Sequence, residues 1–164
     1  MPKNVVNLMR TLSMKSVCRV FFLAVLLIPC PAGAEGGECR VSITGIDFDK
    51  YNPLRDTPTV AQGSITVTCS APANVKVTVS TGVSQSYHPR KMTGTRESME
   101  YNLYADSLYQ TVWGNGDGGT VIGSLTHEGG QRSRILPVYG RIKPKQDVYA
   151  PQDFGDSPAV TVLW

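Results

Sequence analysis

Apolar and polar residues alternate at period two along much of this chain, and this pattern restricts the fold most. The segment Gly63–Cys69 places Ile65 and Val67 on one face and hydroxyl side chains on the other. Val75–Val79 repeats the pattern, which is typical of half-buried strands. We expect five alternating residues to line a core or a groove, and the alternation does not distinguish the two: Ile65, Val67, Val160, Val162 and Trp164.

Turn-forming residues separate these runs at short intervals, and the sequence shows almost no helical periodicity. The largest cluster is the glycine-rich stretch 114–119, and Pro144, Pro151 and Pro158 break the C-terminal part. Short strands with frequent turns and no helical spacers favour an antiparallel β-sandwich. We therefore predict one all-β domain.

The N-terminal 34 residues have the three parts of a secretory signal peptide. Lys15 and Arg19 precede the apolar run 20–28, and Ala32-Gly33-Ala34 is an A-x-A cleavage site. Cleavage before Cys30, as in a lipoprotein, is the alternative, but a proline directly before that cysteine disfavours it. We predict a signal peptide over 1–34 and a mature domain over 35–164. The apolar run is short for a membrane span, so we do not expect an integral membrane protein.

Removal of the signal peptide changes the charge balance. The whole chain has a formal net charge of +3, but four of its 16 Lys and Arg precede Glu35 and all 13 Asp and Glu follow Ala34. The mature domain is therefore close to neutral. A near-neutral domain gives no reason to expect nucleic acid as a partner.

The mature domain retains two cysteines, Cys39 and Cys69. In an oxidising compartment two cysteines most simply pair with each other. A redox-active thiol and a metal pair are the alternatives, but 29 residues separate the two cysteines and no histidine lies close to either. We predict a disulfide that joins two early strands.

Catalytic and metal-binding motifs are not apparent. His88 and His127 are isolated in polar, turn-rich sequence, where solvated loop histidines are expected. No serine lies in a Gly-x-Ser-x-Gly elbow, and the glycines around Asp117 lack the acidic spacing of a calcium loop. We predict no enzymatic activity, no metal and no cofactor.

Aromatic residues cluster between 101 and 113. Tyr104, Tyr109 and Trp113 are candidates for a surface that binds carbohydrate, because aromatic faces stack on sugar rings. Packing in the core or at a sheet edge is the alternative for such residues.

An ordered set of motifs runs through the mature domain. Cys39-Arg40-Val41-Ser42 comes first, and Gly63–Cys69 and Arg90-Lys91-Met92 follow. Tyr101-Asn102-Leu103-Tyr104-Ala105-Asp106 and Tyr139-Gly140-Arg141-Ile142 complete the set. In this order and together with Cys39 and Cys69, the combination resembles the spore coat protein U domain family, the subunits of archaic (Csu-type) chaperone–usher pili.

This resemblance implies an immunoglobulin-like sandwich that lacks its last strand and is completed by donor-strand complementation, in which backbone hydrogen bonds of an added strand supply affinity. It implies a periplasmic pilus chaperone, an outer-membrane usher and neighbouring pilus or coat subunits as partners. The expected function is that of a secreted, non-catalytic structural subunit of a pilus or coat. It would pass through the inner membrane and periplasm to the cell surface. A carbohydrate- or surface-binding adhesin module is the alternative function.

Two details bear on this resemblance. The family usually has a glycine where this chain has Asp49, so the turn there is expected to differ. Only Glu35–Glu38 precede Cys39 after the predicted cleavage, whereas a donor strand needs roughly ten residues at about 3.3 Å each. We therefore expect a subunit that accepts a strand without donating one, at a tip or another terminal position.

Overall fold

The computed structural model describes residues 4–6, 9–12, 37–130, 132–149 and 153–164. These residues form strands and one turn of 3₁₀ helix at Gly82–Ser84, and no α-helix occurs within them. The all-β prediction is confirmed. The strands are β1 (Asn4–Val6), β2 (Met9–Leu12), β3 (Cys39–Thr44), β4 (Ile46–Asp47), β5 (Thr59–Cys69), β6 (Pro72–Val79), β7 (Arg90–Thr93), β8 (Ser98–Tyr104), β9 (Gly123–Glu128), β10 (Ser133–Ile142), β11 (Phe154–Asp156) and β12 (Ala159–Leu163).

Two sheets form a sandwich. The larger has the order β3-β5-β10-β8-β7-β11-β1-β4, and the smaller has the order β2-β12-β6-β9. The strand pairs are antiparallel except β1 with β11 and β2 with β12, which are parallel. Because β3 and β4 are separated only by Gly45 and lie at opposite ends of the larger sheet, that sheet curls towards closure.

The core lies between the two sheets and follows the alternation seen in the sequence. Ile65 and Val67 of β5 point into it from the larger sheet, and Val160 and Val162 of β12 enter it from the smaller one. These four side chains are fully buried. Trp164 instead follows the end of β12 and is 37% exposed, so it lies outside the core.

A disulfide joins Cys39 and Cys69, as predicted. The two residues lie opposite each other in the antiparallel pair of β3 and β5. The bond therefore fastens the first strand of the predicted mature domain to the longest strand of the larger sheet.

The turn at Asp49 has the backbone of a glycine turn. Asp49 has φ of 54°, in the left-handed region that glycine adopts without strain. Asp residues tolerate this region better than most because their short side chains bond locally. Here the Asp47 carboxylate accepts the backbone N–H of Asp49 at 2.9 Å. The turn thus keeps a conformation suited to glycine despite the different residue.

Candidate functional site

The outer edge of β12 is the first candidate site. On one side β12 pairs with β6, with Val160 opposite Val79 and Val162 opposite Val77. On its other side β12 pairs with β2, in parallel. Without β2, β12 would be the edge strand of the smaller sheet.

The pairs β1–β11 and β2–β12 have the same register. Asn4 lies opposite Phe154 in the pair of β1 and β11, and Met9 lies opposite Ala159 in the pair of β2 and β12. Both pairs have the same offset of 150 residues along the chain. The two segments therefore run side by side, and each contributes a strand to both sheets.

β1 also closes the larger sheet. It lies between β11 and β4, and in the pair with β4 Val5 is opposite Asp47 and Val6 is opposite Ile46. Three strand edges, those of β4, β11 and β12, consequently have β1 or β2 as their neighbour. These edges together form what we call the acceptor edge.

Both strands on the acceptor edge come from the segment that the sequence analysis assigns to a signal peptide. The apolar run 20–28 and the predicted cleavage site Ala32–Ala34 lie outside the described residues. In the full-length chain, however, residues 4–6 and 9–12 pair with the rest of the fold. These two strands are not expected from the sequence, which predicts a signal peptide there.

A buried arginine fixes the structure behind the acceptor edge. Arg90 is 0% exposed, and its guanidinium donates to backbone oxygens at the end of β6. These are Ser80 O at 3.0 Å and Val79 O at 3.4 Å. It also donates to Trp113 O at 2.6 Å and to Asn102 Oδ1 at 2.7 Å. Burial lowers the pKa of Arg90, and nearby groups, Tyr101 first among them, counteract this effect.

A second buried contact positions the start of β12. The Tyr101 hydroxyl donates to Asp156 Oδ2 at 2.6 Å, and Asp156 Oδ1 accepts the N–H of Ser157 at 2.7 Å and of Val83 at 3.1 Å. A Cβ at Gly82 would overlap this carboxylate, so only glycine fits there. The carboxylate thus holds the chain where it leaves the larger sheet for the smaller one.

Tyr101 makes stability depend on pH in a defined direction. Burial and the adjacent Asp156 carboxylate raise the pKa of the Tyr101 phenol above its ordinary value of 10.0. The protonated phenol is therefore favoured by folding, and its contribution is lost as the pH rises above about 10. We expect Tyr101→Phe to remove this pH-dependent contribution to the free energy of unfolding. The free energy of unfolding of the wild type should fall relative to Tyr101→Phe by about 1.4 kcal/mol between pH 9 and pH 11. Urea titrations at both pH values measure it, and an unchanged difference would contradict it.

The three aromatic candidates do not share one environment. Trp113 is 1% exposed, and its indole N–H donates to Val77 O at 3.1 Å. Its ring packs against Gly123, where a Cβ would overlap it. Trp113 is therefore a core residue. The prediction that it belongs to a binding surface is wrong, because its ring is buried. Tyr104 and Tyr109 are half-buried on the outer face, with ring centroids 5.6 Å apart in an edge-to-face arrangement.

The two histidines also differ from each other. His88 is exposed, and its Nε2 lies 2.9 Å from Gly118 O. His127 is only 1% exposed, and its Nδ1 accepts the N–H of Gly129 at 2.9 Å. The expectation of a solvated loop histidine is therefore wrong for His127, which lies near the end of β9 and bonds to the backbone of Gly129 just beyond that strand.

The described residues contain no group of three His, Cys, Asp or Glu side chains arranged to hold a metal ion. Within the same ranges, no helix has the length and apolar character needed to cross a bilayer.

Sequence reasoning did not single out Arg90 or Asp156. The alternation of side chains along β7 could have indicated that Arg90 is buried. Arg90 and the buried Met92 are two residues apart in this strand and therefore share a face. A charged residue on the apolar face of a strand predicts a buried, hydrogen-bonded cation.

Comparisons with known proteins agree with this architecture. The model of the spore coat protein U domain family matches residues 34–161. A similar solved structure is the CsuC–CsuE chaperone–tip adhesion subunit pre-assembly complex from archaic chaperone–usher Csu pili of Acinetobacter baumannii. It is 19% identical with a TM-score of 0.53, and the match covers 78% of this chain and 40% of that chain. At this identity the likeness is one of fold. No curated protein sequence matches the chain.

The family match covers well over half of the chain, from just before Glu35 to Thr161 within β12. On this basis, the chain belongs to the spore coat protein U domain family.

Proposed function

We propose that the mature domain is a non-catalytic structural subunit of a chaperone–usher pilus or surface coat, assembled by accepting a β-strand at the acceptor edge. The observation that carries this proposal is the shared parallel register of residues 4–6 with residues 154–156 and of residues 9–12 with residues 159–162. This register supports an edge that can pair with an added extended segment in both sheets.

The physical reason is the unpaired backbone that loss of this segment would leave. Removal of β1 and β2 leaves β4, β11 and β12 with open edges, and an open edge next to an apolar core promotes aggregation. An added strand satisfies the backbone N–H and C=O groups, and its alternate side chains reach the core. A subunit with this edge needs another chain to cover it.

The partners follow from this requirement. A periplasmic chaperone would cover the acceptor edge first, and a strand from a neighbouring subunit would replace it at an outer-membrane usher. The fold likeness to a subunit solved together with its chaperone supports this assignment. The route is export through the inner membrane, transit through the periplasm and assembly at the cell surface.

Cleavage after Ala34 would generate the open edge. It would remove both β1 and β2, because these strands end at Val6 and Leu12. It would also leave only Glu35–Glu38 before the disulfide-bonded Cys39. A subunit with so short an extension would accept a strand and have none to donate, as we expect of a subunit at a tip or another terminal position.

The test compares the full-length chain with a chain of residues 35–164. We expect the shorter chain to aggregate alone and to become soluble and monomeric with a peptide of residues 4–12 in trans. At a peptide concentration of about 100 Kd, the stabilisation should be about 2.7 kcal/mol. The matched control is the same peptide with proline at both Arg10 and Thr11. Because adjacent N–H groups of a strand point in opposite directions, one of these prolines must remove a bond to β12.

Two results would overturn the proposal. One is a monomeric 35–164 chain whose thermal midpoint does not respond to either peptide. The other is equal stabilisation by the native and the proline peptides.

The terminal position is tested separately, by the N-terminal sequence of the secreted protein. We expect Glu35 as the first residue, and a start ten or more residues upstream would exclude the terminal position alone.

The alternative function, a carbohydrate-binding module, retains Tyr104 and Tyr109 as candidate residues. These two tyrosines lie on the outer face of the larger sheet, away from the core between the sheets.

A further inference from the structure

A pocket of about 430 Å³ opens on the solvent side of the larger sheet. In β10 the side chains of Val138 and Ile142 are buried in the core, so that of Arg141 points to the opposite face. Arg141 lies opposite Asn102 of β8, which places both strands under the pocket. The polar and aromatic lining includes His88, Asn102, Tyr104, Arg141 and Lys143.

Arg141 is the unusual member of this lining. Its guanidinium lies 5.6 Å from the ring centroid of Tyr109 in a cation–π contact. Within the described part of the chain, no hydrogen bond or ion pair engages its N–H groups. A half-buried guanidinium held by stacking, with its donors free, is suited to a planar anion such as a carboxylate.

The other basic side chains of the lining already have partners. Lys143 Nζ forms an ion pair with Glu100 Oε2 at 3.1 Å, and His88 Nε2 lies 2.9 Å from Gly118 O. No Asp or Glu lines the pocket among the described residues. The charge of Arg141 therefore has no compensating carboxylate, which leaves the pocket attractive to an anion.

A cluster of three tyrosines supports Tyr104, which lies in the wall of the pocket. Tyr109 makes edge-to-face contacts with Tyr104 and with Tyr139, at centroid distances of 5.6 Å and 6.3 Å. The Asp106 carboxylate fixes the loop that carries Tyr109, because it accepts the N–H of Thr111 at 2.7 Å and of Leu108 at 2.9 Å. Tyr104 itself lines the pocket.

We propose that this pocket binds a carboxylate-bearing sugar of the hexuronate class. The carboxylate would take the N–H donors of Arg141, and the apolar face of the sugar ring would pack against Tyr104. A volume of about 430 Å³ is in the range of small-ligand sites. The pocket uses the outer face of β8 and β10 and none of the acceptor edge, so the proposal is independent of strand acceptance.

The experiment is calorimetric titration of the full-length chain with glucuronate, with glucose and with acetate. We expect binding of glucuronate only. Arg141→Gln should weaken it by about 10- to 100-fold, since a charge-assisted pair is lost. Tyr104→Leu should also weaken it. The matched control is Arg134→Gln, which removes an exposed arginine from the same strand and should leave the affinity unchanged.

Each other outcome overturns the assignment. Equal binding of acetate and glucuronate means that the pocket recognises a carboxylate without the sugar. Absence of glucuronate binding excludes this pocket as a hexuronate site. An equal loss of affinity in Arg134→Gln and Arg141→Gln excludes it as well. If Arg141→Gln does not fold, Arg141→Lys provides the same test. It retains the charge without the planar fork, so undiminished affinity in it would contradict the proposed geometry.

Discussion

Replacement of Arg90 by methionine is expected to lower the free energy of unfolding by about 3–5 kcal/mol. The guanidinium is fully buried and donates to four acceptors, three backbone oxygens and Asn102 Oδ1. Methionine is similar in length but donates no hydrogen bond, so these acceptors would remain desolvated and unpaired. Urea unfolding of the full-length chain, followed by circular dichroism, measures the loss.

Two further variants complete the test. One is a control at an exposed neighbour, and the other separates the geometry of the guanidinium from its charge. Lys91→Met changes the next residue of β7, which faces solvent, and should alter stability by less than about 0.5 kcal/mol. Arg90→Lys retains the charge but lacks the planar fork, so we expect an intermediate loss of about 1–3 kcal/mol. Equal stability of Arg90→Met and wild type would show that the network does not hold the sheets together.

Loss of the Cys39–Cys69 disulfide is the second large effect. The bond closes a loop with a sequence separation of 30 residues. In the chain-entropy model, a loop of this length contributes about 3–4 kcal/mol by restricting the unfolded chain. We expect C39A/C69A to lose about this amount in urea unfolding.

Reduction of the wild-type protein gives an independent measurement. Dithiothreitol should lower the urea midpoint of the wild type towards that of C39A/C69A and leave the variant unchanged. A wild type that is insensitive to reductant at its unfolding midpoint would contradict the prediction.

The fold class could be read from the sequence because strand alternation is a local signal. Ile65 and Val67 are buried as the period predicts, since both lie on the inward face of β5. The disulfide was predictable for a different reason, because only two cysteines follow Ala34. These features need no knowledge of which strands pair.

Features that depend on long-range pairing could not be derived in this way. Residues 4–6 and 9–12 have no local sequence feature that places them beside residues 154–156 and 159–162, since only strand pairing brings these segments together. Asp156 is similar, because its burial depends on Tyr101, 55 residues away in the chain.

The positions of the aromatic residues also depend on the tertiary structure. Trp113 and Tyr109 lie four positions apart in a turn-rich stretch with no clear period, so neither could be assigned to a face. The structure separates them. Trp113 is inside against Val77, and Tyr109 is outside against Arg141.

The different burial of the two tryptophans gives the molecule two optical reporters. Trp113 is 1% exposed in the core, and Trp164 is 37% exposed directly after β12. An aqueous quencher such as acrylamide should therefore reach Trp164 and spare Trp113. Because Trp164 directly follows β12, a strand of the acceptor edge, we expect its fluorescence to respond when a strand binds there, while that of Trp113 reports on the integrity of the core. Replacement of Trp164 by phenylalanine isolates the core signal of Trp113, and the difference between the wild type and this variant gives the signal of Trp164, so strand binding and unfolding can be followed separately.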